Sequence, residues 1–147
     1  MLKKYGALLF ILLLLTSCSN IERVKWREFS NALLEQEESD KPIMFFFYST
    51  SCMYCKMMEK STLNNREISE IINKNFIPIK LNVDNKLPLG KDLPSPSQLA
   101  ATFRVKGVPA IFFVNKEHKI IKTVTGFQPV FLFKKHLNEA LSLSKEE

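Results

Sequence analysis

The chain has 147 residues, 46% of them hydrophobic, and its 21 basic and 15 acidic side chains give a formal charge of +6. That length and apolar share suit one compact domain with a sizeable core and argue against two. The lysines are scattered, with no basic block interleaved with aromatics, so the positive balance points to solubility and attraction to an anionic membrane surface and excludes nucleic-acid binding as the leading function.

Residues 1–17 stand apart from that domain. Lys3 and Lys4 open the chain and an apolar run over 7–15 follows. The run falls short of the ~17–25 residues that a spanning helix needs, so it reads as a signal peptide and the chain as exported. Leu15-Thr16-Ser17-Cys18 resembles the lipobox of bacterial lipoproteins, which implies lipidation at Cys18 and an N-terminal anchor in an envelope membrane, inner or outer. The alternative is an ordinary cleaved signal with an incidental cysteine. Loss of Lys3 and Lys4 with the signal lowers the charge to +4. Residues 18–40 then hold the lipidated cysteine, a short tether and an amphipathic helix, and 41–147 form the main domain.

Within 18–40, Trp26, Phe29 and Leu33 recur at helical spacing, and Glu35, Glu37, Glu38 and Asp40 mark the helix end. The next stretch organises the rest. Residues 42–48 are apolar and aromatic without interruption, as in a strand buried on both faces of a mostly parallel sheet. Ser49-Thr50-Ser51 supply N-cap residue types, and the helix they introduce carries Cys52 in its first turn and Cys55 three residues on, with both sulfurs on one face. Unpaired N–H groups and the positive end of the helix dipole favour a thiolate there. Lowering a thiol pKa from ~8.5 to ~7 raises its thiolate fraction at neutral pH about fifteenfold, and the accompanying fall in nucleophilicity leaves a net gain of roughly threefold. Holding a second thiol close by therefore matters more than the shift itself.

Cysteine counting agrees. Of three cysteines one takes lipid and two form the C-x-x-C pair, with none left for a structural bridge. A stable clip closing so small a loop would add little to the fold, which favours a redox role.

The Cys helix is expected to run to about Lys60, and a second helix over 66–73 to place Ile68, Ile71 and Ile72 on one side. Residues 76–83 alternate as a strand with one more polar face, and Pro78 points to an edge strand or to the start of one. The segment 85–94, with Pro88, Gly90 and Pro94, is the least ordered-looking part of the domain. Ser95-Pro96-Ser97-Gln98 reads as a capping box with proline at the first helical position, opening a helix through about Arg104. Val108-Pro109 precedes an apolar strand over 110–114, a hairpin connection over 115–119 leads to a strand over 120–125, and 129–143 form a last amphipathic helix.

The order β-α-β-α-β-β-α with C-x-x-C after the first strand resembles the thioredoxin superfamily over residues 41–143. Cys52-Met53-Tyr54-Cys55-Lys56, Lys80-Leu81-Asn82-Val83-Asp84 and Gly107-Val108-Pro109 carry the likeness. Within it, Glu59 and Gly126-Phe127 resemble the C-terminal thioredoxin-like domain of the thiol:disulfide interchange protein DsbD and small exported thioredoxin-like proteins. The implied fold is α/β, a central mixed four-stranded sheet flanked by helices and preceded by the N-terminal amphipathic helix. Two departures stand out: Ser51 where a tryptophan usually precedes the first cysteine, and Phe46 where the family keeps a buried aspartate for proton transfer.

The resemblance implies a thiol:disulfide oxidoreductase acting on exported proteins as a reductase, with Cys52 attacking and Cys55 resolving. Pro109 would be a cis-proline facing the pair, the Val108 backbone would pair with an extended substrate chain, and Met53 and Tyr54 would flank it. An upstream membrane or soluble thiol would donate electrons, and no cofactor or metal is implied. Glu59, with Lys80 as partner, is the candidate replacement for the absent aspartate; a plain solvated helix carboxylate is the alternative. Three other readings stay open: an exported oxidant or isomerase, a copper-handling protein binding Cu(I) through Cys52, Cys55 and the methionines Met53, Met57 and Met58, and a lipid-anchored binding domain whose cysteines are inert. His118 and His136 are expected at the surface, away from the cysteines.

Overall fold

The computed structural model describes residues 23–145, so the signal segment 1–17 and Cys18 lie outside the described residues. Strand β1 (Ile43–Tyr48) is central: β2 (Ile77–Asn82) pairs with it in parallel and β3 (Ala110–Val114) antiparallel, while β4 (Ile120–Thr125) pairs antiparallel with β3. The sheet order β2-β1-β3-β4 is the mixed four-stranded arrangement the sequence predicts.

Alternate residues of a strand face opposite sides. Met44 and Phe46 enter one core with Met58, Ile68, Ile72, Phe113, Phe133 and Leu137, whereas Ile43, Phe45 and Phe47 enter the other with Ile79, Leu81, Leu99 and Phe112. Both faces of β1 are covered, which is why its sequence carries no polar alternation. Strand β2 lies at the edge, as Pro78 indicates, and directs Ile77, Ile79 and Leu81 into the second core. Its other face carries Lys80, which the register sets beside Phe46.

Helix α1 spans Phe29–Glu38, so Trp26 falls outside the helix that the spacing placed it in. The reason is tertiary. Residues 23–28 run without helix along the outer edge of β2, where the Arg27 N–H donates to the Pro78 carbonyl at 2.8 Å. This leaves the Trp26 ring stacked on Phe46 with centroids 5.8 Å apart. The Arg27 guanidinium bonds Glu35 at 2.7 Å and offsets one acid near the helix end.

Helix α2 (Met53–Met58) passes into a π-helical turn, Glu59–Leu63, instead of continuing as α-helix to Lys60. Helices α3 (Arg66–Asn75) and α4 (Pro96–Thr102) follow, and α5 (Val130–Leu143) closes the chain. The Ser95 capping box has both of its reciprocal bonds, and α4 stops short of Arg104, whose φ of 54° is left-handed. The 85–94 segment has no regular element but is tied internally: Leu89 N–H reaches the Pro94 carbonyl at 3.1 Å and Leu93 N–H the Gly90 carbonyl at 3.2 Å. Among the described residues no helix is long and apolar enough to cross a membrane.

Candidate active site

Strand β1 ends at Tyr48 and the chain turns sharply into α2. Cys52, expected inside the first turn, is instead the N-cap: its backbone is extended and its Sγ accepts the Cys55 N–H at 3.1 Å. The hydroxyls that the sequence offers for capping are used elsewhere. Ser49 Oγ donates to Asp84, in the turn that follows β2, at 2.6 Å and lies 3.0 Å from Ser51 Oγ. A sulfur at the cap position replaces a hydroxyl in satisfying a free helix N–H, so negative charge on Cys52 meets a donor already in place.

Cys52 and Cys55 are joined by a disulfide, with Cα atoms 5.3 Å apart. Their environments differ: Cys52 is half-buried and Cys55 only 1% exposed, so an incoming group reaches the first sulfur and not the second. Cys52 Sγ lies 3.6 Å from the Val108 carbonyl oxygen. The Val108–Pro109 bond is cis, and the Pro109 carbonyl accepts the Gly126 N–H at 2.8 Å, bringing the start of β3 and the end of β4 to the same pole as the cysteines. Met53 (70% exposed) and Tyr54 (62%) project from the first turn of α2. Met57 is also exposed, but Met58 is fully buried in the core, so the three methionines do not converge on the sulfurs as a copper cluster would require.

Behind Cys55, where the family keeps a carboxylate, the rings of Trp26, Phe46 and Tyr48 stack, with the Phe46 and Tyr48 centroids 5.9 Å apart. Lys80, on the α2 face of β2, donates to Glu59 at 2.8 Å, and its ammonium sits 4.3 Å from the centroid of the Tyr48 ring. Tyr48, Ser49, Cys55, Glu59 and Lys80 are among the residues lining a cavity of about 220 Å³, which places the carboxylate–lysine pair and the buried cysteine on one small space. His118 lies in the turn between β3 and β4 and His136 beside Glu139 on α5, 3.6 Å from its carboxylate.

The family description "Thioredoxin-like domain" matches residues 29–141. The chain belongs to the thioredoxin-like family. The thiol:disulfide interchange protein DsbD of Photorhabdus laumondii is 29% identical over 114 residues, covering 76% of this thioredoxin-like chain but 18% of that protein, so the chain spans less than a fifth of the relative's length. Two solved structures share the fold. The DsbH oxidoreductase superposes with a TM-score of 0.67 at 21% identity, covering 88% of this chain and 93% of its own. The oxidised C-terminal domain of Neisseria meningitidis DsbD does so with a TM-score of 0.59 at 22% identity, covering 76% and 90%. Family, fold and C-x-x-C disulfide together support thiol:disulfide oxidoreductase activity.

Three contacts of this thioredoxin-like site escaped the sequence reading. Asp84 was visible only as a strand end, whereas it anchors the redox turn through Ser49. Tyr48 read as one more strand aromatic, yet its ring faces the Lys80 ammonium. Thr62, in the π-helical turn, donates to the Gln128 carbonyl at 2.6 Å, and nothing local in the sequence signals a partner so distant.

Proposed function

We propose that this thioredoxin-like chain reduces disulfides in exported proteins while held in the bacterial cell envelope by lipid on Cys18. The observation that carries the reading is the asymmetry of the pair, a half-exposed Cys52 at a helix cap joined to a buried Cys55. In the reduced protein the Cys52 thiolate attacks one sulfur of a client disulfide, forming a mixed disulfide and releasing the other client sulfur as a thiolate. Cys55 then gives its proton to Glu59, attacks Cys52 Sγ and expels the second client thiolate. Two electrons pass to the client, the Cys52–Cys55 disulfide remains, and an upstream thiol donor reduces it again. The Val108 backbone receives the client chain as a short added strand opposite Pro109, with Met53 and Tyr54 at its sides. The tied loop over 85–94, which leaves β2 at this pole, selects among clients.

Exchange between thiols and disulfides draws support from the likeness to the thiol:disulfide interchange protein DsbD. Two measurements test the proposal. Cys55→Ala should accumulate covalent client adducts that thiol reagents release and that Cys52→Ala never forms; failure to trap any client rejects the activity. Equilibration of the couple against glutathione should give a potential near ~−270 mV, whereas a value near ~−120 mV would make the protein an oxidant.

A further inference from the structure

Helix α2 loosens where Glu59 begins the π-helical turn: the Asn64 N–H donates to the Glu59 carbonyl five residues back, at 2.9 Å. Such a turn replaces i→i−4 bonds with i→i−5 ones. Leu63 packs it into the first core, and two side chains tie it to other elements by hydrogen bonds. One is Glu59 itself, bonded to Lys80. The other is Thr62, fully buried, whose Oγ1 donates to the Gln128 carbonyl. Ser61 bonds only back within its own helix, to the Met57 carbonyl.

Gln128 belongs to the short segment leaving β4, whose Gly126 N–H bonds the Pro109 carbonyl at 2.8 Å and whose own side chain donates to the Thr125 carbonyl at 3.1 Å. An unbroken path of covalent and hydrogen bonds therefore runs from Pro109, next to the Val108 carbonyl that faces Cys52, through Gly126 and Gln128 to Thr62, and through the π-helical turn to the carboxylate that shares a cavity with Cys55.

We infer that Thr62 is a positioning residue for the second half of the exchange: it fixes the π-helical turn against the Pro109 loop and so sets where Glu59 stands when Cys55 gives up its proton. The inference rests on the proposed role of Glu59. Thr62→Val keeps the shape and branching of the side chain and removes the hydroxyl; Thr62→Ser keeps it.

The test is the pH–rate profile for reduction of a peptide disulfide by the full-length reduced protein, run for wild type, Glu59→Gln, Thr62→Val, Thr62→Ser and Ser69→Ala. Ser69→Ala is the stability control, since it removes a buried hydroxyl of α3 that bonds the Arg66 carbonyl at 3.0 Å. Thr62→Val should displace the profile in the same direction as Glu59→Gln and slow the resolving step by about threefold to tenfold, a part of the ~10²–10⁴ that positioned acid–base groups supply. Thr62→Ser should restore the wild-type profile, and Ser69→Ala should lower the unfolding midpoint without moving it. A displaced profile in Glu59→Gln with an undisplaced one in Thr62→Val overturns the role of Thr62 alone. An undisplaced profile in Glu59→Gln removes the proton role of the carboxylate and this inference with it.

Discussion

Replacing Phe46 by alanine tests whether the space behind Cys55 is an apolar, close-packed floor. The ring is fully buried and stacked between Trp26, 5.8 Å away, and Tyr48, 5.9 Å away. Removing a buried phenylalanine costs about 3–5 kcal/mol through lost transfer energy and the cavity left behind. At ~1.4 kcal/mol per decade, that raises the unfolded fraction by roughly two to three and a half orders of magnitude, a large share of the ~5–15 kcal/mol that holds an ordinary domain. The cost should sit toward the lower end, because Trp26 comes from a non-helical segment and is only half-buried. Trp26 is the single tryptophan of the chain, so its fluorescence during urea unfolding reports the change at the site itself. The midpoint should fall with the slope unchanged. A loss below ~1 kcal/mol would refute close packing at this position. So would a Phe46→Asp variant as stable as wild type at neutral pH, because an ionised carboxylate between two rings would then be shown to be well solvated there.

Ser49→Ala should cost about 1–3 kcal/mol, because it removes the bond to the Asp84 carboxylate together with the contacts to the Ser51 N–H and hydroxyl, and should speed amide exchange across residues 84–94, which the Ser49–Asp84 bond ties to the redox turn. Unchanged protection in that loop would refute the tie. The Glu139 carboxyl is held below its ordinary value chiefly by its hydrogen bond from Lys122, at 2.6 Å. A carboxyl lowered by folding adds stability above its unfolded pKa and loses it as pH falls through the folded one. The stability difference between wild type and Lys122→Met, read from urea midpoints, should therefore shrink on acidification through the carboxyl range, and a constant difference would refute the assignment.

Local chemistry was legible along the chain. The unbroken apolar run at 42–48 gave β1, because a strand covered on both sides has no solvent face to mark. The Ser95–Gln98 box gave the start of α4, because both of its bonds close within one turn. Pro78 gave an edge strand, because it brings no N–H to a ladder. The cysteine spacing gave the pair. These features depend on residues within about a turn of each other, and that information is written in the sequence itself.

The site's surroundings depended on longer reach. Trp26 fitted a helical spacing, but the edge of β2 and the face of Phe46 offered it a better place. Ser49 fitted a cap, but Asp84, 35 residues away, took its hydroxyl and left capping to Cys52. Lys80 meets Glu59 only because the parallel register sets Lys80 beside Phe46 on the helix-covered face. Thr62 finds Gln128 across 66 residues only because the final strand returns to the cysteine pole. By itself the sequence determined the strands, the Ser95 cap and the presence of a reactive sulfur pair, each set by neighbours along the chain. Which groups surround those sulfurs was decided by strand order and core packing, because polar groups far apart in sequence become partners only when burial brings them together and takes water from between them.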